Sequence, residues 1–230
     1  MVGGLRAVLD AAIELALPLE CGGCGLPGAP WCERCAVAVH DDPAPVSPRV
    51  ELPVPAWAMG RYRGPLRSAV VELKEHRRTD LVPVLGRVLA HGLVRLSQWE
   101  QIPPVRHLVL IPAPTRAISA RRRGGDPVTA VARAAAARLG AGVSVLPVLR
   151  TAPWTRDSAG LSAGARMANL SGAVDVVHGL PPSLCAAPPG AVAAVLVDDV
   201  LTTGATAATS LHTLLRHGVP MAGVAVVAAA

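Results

Sequence analysis

The sequence predicts an α/β fold, an open and mostly parallel sheet flanked by helices, with a small four-cysteine unit ahead of it. Three observations lead there. Short apolar runs rich in β-branched residues, such as 108–111 and 191–197, read as strands buried on both faces, the pattern of a parallel sheet. They alternate with stretches of helical periodicity, such as 128–139 and 208–215. Four of the five cysteines stand in two Cys-x-x-Cys pairs near the N-terminus.

The chain's 230 residues suit one sizeable α/β domain with a small appendage and are enough to bury a core. Phe is absent, so Ala, Val and Leu must fill that core. A formal net charge of +6 admits anionic partners, phosphates or nucleic acid, and specifies neither. No apolar run reaches the ~18 residues of a membrane-spanning helix, so no span is expected. Asp10 and Glu14 interrupt the apolar stretch 5–19, which argues against a secretory signal. The spacing of Leu5, Val8, Leu9, Ala12 and Ala16 predicts an amphipathic helix there instead. Paired cysteines of this kind fit a reducing compartment, and a cytoplasmic location is expected.

Cys21-Gly-Gly-Cys24 and Cys32-Glu-Arg-Cys35 are separated by seven residues. Four thiolates in two tight knuckles make a closed tetrahedral shell without an open position, so structural Zn2+ is the expected occupant. The alternatives are two redox pairs or free thiols. Residues 1–42 are read as this N-terminal helix and knuckle. Residues 43–56, with Pro43, Pro45, Pro48, Pro53 and Pro55, are read as a stiff extended linker, and 57–230 as the main domain.

Residues 57–62 are expected as a short strand. Pro65, Leu66, Val70 and Leu73 have helical spacing, and the segment ends in Lys74-Glu75-His76-Arg77-Arg78. That run is either a solvated helix end or a cationic contribution to a pyrophosphate site. A second helical pattern covers 81–96. The strand at 108–111 ends in Pro112-Ala113-Pro114-Thr115-Arg116, a rigid loop whose backbone N–H groups could face a pyrophosphate, with Arg116, Arg121, Arg122 and Arg123 supplying charge; the alternative is a solvated basic loop. Asp126 is the predicted N-cap and Pro127 the first position of the helix to Leu139. A strand is expected over 143–149. The polar stretch 150–171 is expected to be a mobile lid carrying Arg156, Arg166 and Asn169. Strands are further expected at 173–177 and 219–227, with a Pro-rich loop between 181 and 190 and Cys185 as an unpaired thiol.

The densest chemistry lies in residues 195–207. An apolar strand ends in Asp198 and Asp199, and Thr202, Thr203, Gly204, Ala205 and Thr206 lead into a helix. Carboxylates at a strand's C-terminal edge can accept hydrogen bonds from vicinal sugar hydroxyls. Backbone N–H groups opening the next helix, with threonine hydroxyls and a permissive glycine, can surround a phosphate. No Lys stands in the loop, so it is not a Walker A loop. The alternative is an ordinary strand, polar turn and capped helix.

Over these thirteen residues the sequence resembles, without a gap, the 5-phosphoribosyl-1-pyrophosphate (PRPP) motif of type I phosphoribosyltransferases. Together with the cysteine knuckle, the Leu73-to-Arg78 segment, the Ile111-to-Arg116 loop and the Arg/Asn loop, the order of motifs is similar to that of the ComF family along nearly the whole chain. The resemblance implies a phosphoribosyltransferase-like domain behind a zinc finger, and an association with competence, the uptake of transforming DNA. It implies PRPP with Mg2+ as ligand, Asp198 and Asp199 as catalytic and substrate-binding acids, and Thr202, Thr203, Gly204, Ala205, Thr206, Ala113, Arg116, Arg156, Arg166 and Asn169 as binding residues. It departs from the family at Arg123-Gly124-Gly125-Asp126-Pro127, where Phe, Asn and Gln are usual, and at Ser158, where Gln is usual. Two functions follow as expectations: transfer of the phosphoribosyl group to a nitrogen nucleophile, or a non-enzymatic accessory role that binds DNA or a DNA-uptake protein. Similar folds are often homodimers.

Overall fold

The computed structural model describes residues 20–114, 126–151, 174–177 and 179–229. After the knuckle and helix α1 (Glu33–Ala38), the chain forms β1 (Ala44–Pro45), β2 (Ala56–Ala58), α2 (Gly64–Glu75), a 3-10 turn (Thr79–Leu81) and α3 (Val82–Gln98). Then come β3 (His107–Pro112), α4 (Pro127–Leu139), β4 (Val143–Val145), β5 (Leu149–Thr151), β6 (Val174–Val176), α5 (Pro182–Cys185), β7 (Val192–Leu201), α6 (Ala205–Arg216) and β8 (Met221–Ala229).

Six strands make one sheet in the order β1-β2-β8-β7-β3-β4. β1 joins antiparallel and every other pairing is parallel. Helices on both faces leave β7 no solvated side, which is why residues 193–197 are apolar without alternation and all buried. Val195 and Val197 pack with α2, α3 and α4. Ala194 and Leu196 pack with α6 on the opposite face. The result is three layers with two apolar interfaces.

The helices form where the local code directs. Leu66, Ala69, Val70 and Leu73 of α2 recur at helical spacing and are buried. Asp126 caps α4 by accepting from the N–H groups of Val128 and Thr129 at 3.3 and 3.1 Å, with Pro127 at the first position. From β3 the chain passes through α4 to β4 in one direction along the sheet. From β7 it passes through α6 to β8 in the other. Neighbouring strands whose connections diverge leave a crevice between their carboxyl ends, here at β3 and β7.

Three expectations need revision. Residues 143–149 split into β4 of the main sheet and β5, which pairs antiparallel with β6 in a separate ribbon. Pro147 stands between them without an N–H to give to a ladder. The proline-rich stretch 43–56 is extended, yet it lies against the main domain: Ala44 and Pro45 pair with β2, and Val46, Leu52 and Val54 pack on the α6-side core. An edge position tolerates proline, since one side of an edge strand needs no donor. Strand β7 also runs on through both acids to Leu201, because β8 keeps pairing with it to Ala229. Among the described residues no helix is long and apolar enough to cross a membrane.

Candidate functional site

The crevice opens where β7 loses one neighbour. Pairing with β3 ends at Pro112 opposite Val197, whose carbonyl accepts from Ala113 N–H at 2.7 Å. From Asp198 onward, among the described residues, only the β8 side of the strand is laddered, with Asp198 opposite Val226 and Val200 opposite Ala228.

Asp198 and Asp199 are partly buried there. Asp198 Oδ1 accepts the backbone N–H of Asp199 at 2.8 Å, and Asp199 Oδ1 accepts that of Val200 at 2.6 Å. Lys74, in the last turn of α2, places Nζ 3.1 Å from Oδ1 and 3.0 Å from Oδ2 of Asp199. A cavity of about 10 Å³ beside the pair, roughly the room of one water, is lined by Lys74, Val70 and Leu73 of α2 together with Val128, Asp198 and Asp199. Burial, then the adjacent Asp199 charge, pushes the Asp198 carboxyl up to about 8, against the Asp199 N–H and the Lys74 ammonium; Asp126 adds to the rise. Asp198 is therefore the acid of the pair driven toward its protonated form, and Asp199 holds the cation.

The segment after β7 exposes Thr202 and Thr203 and turns at Gly204, whose φ of 82° is left-handed. Among the described residues no side chain caps α6. Its first-turn donors are thus open to an anion, apart from a long contact of 3.4 Å from Ala205 N–H to Thr203 Oγ1. Ala205 and Thr206 are half-buried at the helix start. The proline-rich stretch supports this loop from outside: Val50 N–H donates to the Thr203 carbonyl at 2.9 Å.

The second cluster is the knuckle. The Sγ atoms of Cys21, Cys24, Cys32 and Cys35 all lie within 4.8 Å of one another, and those of Cys24 and Cys32 are 3.7 Å apart. The sulfur–sulfur edge of a zinc–thiolate tetrahedron is about 3.8 Å for Zn–S bonds of about 2.3 Å. All four cysteines are free of disulfides. A Cβ on Gly23 would come within 2.8 Å of Cys35 Sγ, so glycine is what lets the first knuckle close on the second. Against the cost of burial, the N–H groups of Cys32, Gly23 and Cys24 bring the Cys21 thiol down to about 6. Burial and the neighbouring thiols drive Cys35 strongly upward. Crowded thiols of which Cys21 and Cys24 are drawn down while Cys35 is driven up are suited to share a countercharge, and the cluster can hold a metal ion such as zinc.

Compared with models of known protein families, the sequence matches none, and no curated protein matches it.

The structure thus gathers Asp198, Asp199, Thr202, Thr203, Gly204, Ala205 and Thr206 along one edge, with Ala113 across the crevice at the end of β3. Ala113 does not offer the N–H expected of it, because β7 takes that donor, and Pro114 has none. Arg116, Arg121, Arg122, Arg123, Arg156, Arg166, Asn169 and the expected helix in 5–19 lie outside the described residues. The basic run after Leu73 divides. Lys74 reaches the acids, whereas Arg78 turns to Asp80 at 2.8 Å and to the Glu20 carbonyl at 2.9 Å. Lys74 is the residue that motif reading left undecided, and one sequence signal marks it: among 22 lysines and arginines it is the single lysine.

Proposed function

We propose that the crevice binds PRPP, or a related ribose 5-phosphate, together with Mg2+, and that the chain transfers the phosphoribosyl group to a nitrogen nucleophile. The observation that carries this reading is the placement of two adjacent acids beside an uncapped helix start at the carboxyl ends of diverging strands. On this reading the acids take the 2′- and 3′-hydroxyls of a ribose and the Thr202-to-Thr206 segment takes its 5′-phosphate. The resemblance to the ComF family supports the same assignment and would set the activity beside the uptake of transforming DNA.

In the reaction the C1′–O bond to pyrophosphate breaks, pyrophosphate leaves with the bonding electrons, a C1′–N bond forms, and the nitrogen gives up a proton. Asp198 and Asp199 hold the ribose by its hydroxyls, with Asp198 losing its proton as it becomes an acceptor. The first N–H groups of α6 and the Thr202 and Thr203 hydroxyls hold the 5′-phosphate, so that the sugar is fixed at both ends and C1′ is presented to the nucleophile. Bound Mg2+ would neutralise charge on the departing pyrophosphate. The carboxylates are hard oxygen donors suited to that ion's surroundings.

The knuckle is assigned a structural Zn2+ held by Cys21, Cys24, Cys32 and Cys35, a closed set that leaves no position for a substrate.

Calorimetric titration with PRPP and Mg2+, followed by a screen for pyrophosphate release over nucleobases, tests the proposal. Saturable binding with release is expected. Binding without release for any acceptor would leave a ligand-sensing accessory protein, and no binding of either PRPP or ribose 5-phosphate would remove the reading altogether.

A further inference from the structure

We propose that Lys74 is an exchangeable cation of the crevice: it covers Asp199 while the site is empty and turns to the pyrophosphate group of the phosphoribosyl donor when the sugar takes the carboxylates. This rests on the reading of the crevice as a phosphoribosyl site. It adds to that reading a residue which recognises the pyrophosphate rather than the sugar.

The geometry makes the ammonium and the sugar competitors. Asp199 has two oxygens; Oδ1 already accepts from Val200 N–H, and the ammonium reaches both. A ribose diol arriving at Asp199 needs the positions that Nζ fills. Displacing Nζ is easy, because the lysine side chain is 32% exposed against 17% for the aspartate, and pairs this accessible to water are weak. Lys74 also belongs to the last turn of a helix whose buried Val70 and Leu73 hold the backbone still while the four-carbon stem swings. Once displaced, the ammonium stands beside a ligand carrying several negative charges.

The choice of residue argues the same way. The chain uses arginine at every other basic position, and lysine here alone. A guanidinium on Asp199 would make two parallel hydrogen bonds in a fixed fork and hold the carboxylate against the sugar. An ammonium is a compact charge on a flexible stem and can leave. A countercharge serving only to stabilise the acids would be served at least as well by arginine.

The experiment compares Mg2+–PRPP with ribose 5-phosphate, which has the same sugar and 5′-phosphate but no pyrophosphate, on wild type, Lys74→Met and Lys74→Arg. Lys74→Met is expected to weaken Mg2+–PRPP at least ten-fold while changing ribose 5-phosphate less than three-fold. Lys74→Arg, which keeps the charge and serves if the methionine variant does not fold, is expected to weaken both ligands at least ten-fold by holding Asp199. Equal losses for the two ligands in Lys74→Met, or wild-type affinities in Lys74→Arg, make Lys74 a fixed countercharge and overturn the proposal. A wild type that binds neither ligand overturns the phosphoribosyl reading itself, and this inference with it. As the only lysine, Lys74 also gives one Cε–Hε signal in lysine-labelled protein. That signal should move on adding either ligand, because the same sugar displaces Nζ from Asp199 in both, and should reach a different position with Mg2+–PRPP; a signal unmoved by saturating ligand counts against the exchange.

Discussion

A Cβ placed on Gly204 would lie 2.7 Å from the Cβ of Pro48. Two segments far apart in sequence therefore meet at the turn that opens α6, and the turn itself has a φ of 82°. Gly204→Ala must meet both the contact and the left-handed backbone. A loss of ~2 kcal/mol is expected from such a pairing of strain and overlap. Adding Pro48→Gly, which removes that Cβ together with the ring, should recover the part due to overlap with Pro48 and leave the backbone part, so urea melts of the two singles and the double should show coupling. Strict additivity would place Pro48 away from the turn in solution.

Asp198 makes stability depend on pH in a direction opposite to that of most carboxylates. Its carboxyl is near 8 in the folded chain and returns toward 3.8 when unfolded. Between those values the native state binds the extra proton, so stability falls as pH rises from about 4 to about 8 and levels off above. Asp198→Asn should flatten this part of the profile and raise the melting temperature most at pH 8. A variant that follows the wild-type curve throughout would show that Asp198 is ionised at neutral pH.

The same proton links pH to binding. For Asp198 to accept a sugar hydroxyl as a carboxylate it must ionise, so Mg2+–PRPP should bind more tightly as pH rises toward 8, with a proton released. Calorimetry in buffers of different ionisation enthalpy measures that proton directly. Asp198→Asn with Asp199→Asn keeps the shape and removes the charged acceptors. At ~1.5–3 kcal/mol for each charged hydrogen bond, the double variant should bind at least ten-fold more weakly with its fold unchanged. Undiminished binding would make the acid pair architectural.

For the knuckle, one Zn2+ per chain is expected by metal analysis, and Cys24→Ser, the change at the exposed ligand, should lower that content and the melting temperature together. Chelation of the wild type should lower the melting temperature in the same way. Wild-type zinc content in the serine variant would falsify the four-thiolate assignment.

Local chemistry was legible before any coordinates. The strand, acid pair and Thr-Gly turn of 195–207 and the two Cys-x-x-Cys pairs each lie within a short run, where spacing and residue type decide what can meet. Asp126 with Pro127 marked the start of α4 for the same reason, since a cap acts over three residues. The proline-rich stretch 43–56 was misleading because prolines read as linker wherever they cluster, while the edge that tolerates them exists only once β2 and β8 have paired.

What the sequence by itself determined was therefore the set of groups: two acids, a Thr-Gly turn leading into a helix, four sulfurs, and strands with no solvated face. Their company was decided by the tertiary structure. Asp199 and Lys74 are separated by 125 residues, and Val50 and Thr203 by nearly the whole main domain. Such pairs leave no period in the chain. They arise because β7 enters the sheet between β3 and β8, α2 packs over its end, and the connections on its two sides diverge there. Burial at that junction is also what raises the Asp198 carboxyl, a property of the surroundings that no aspartate carries in its own side chain.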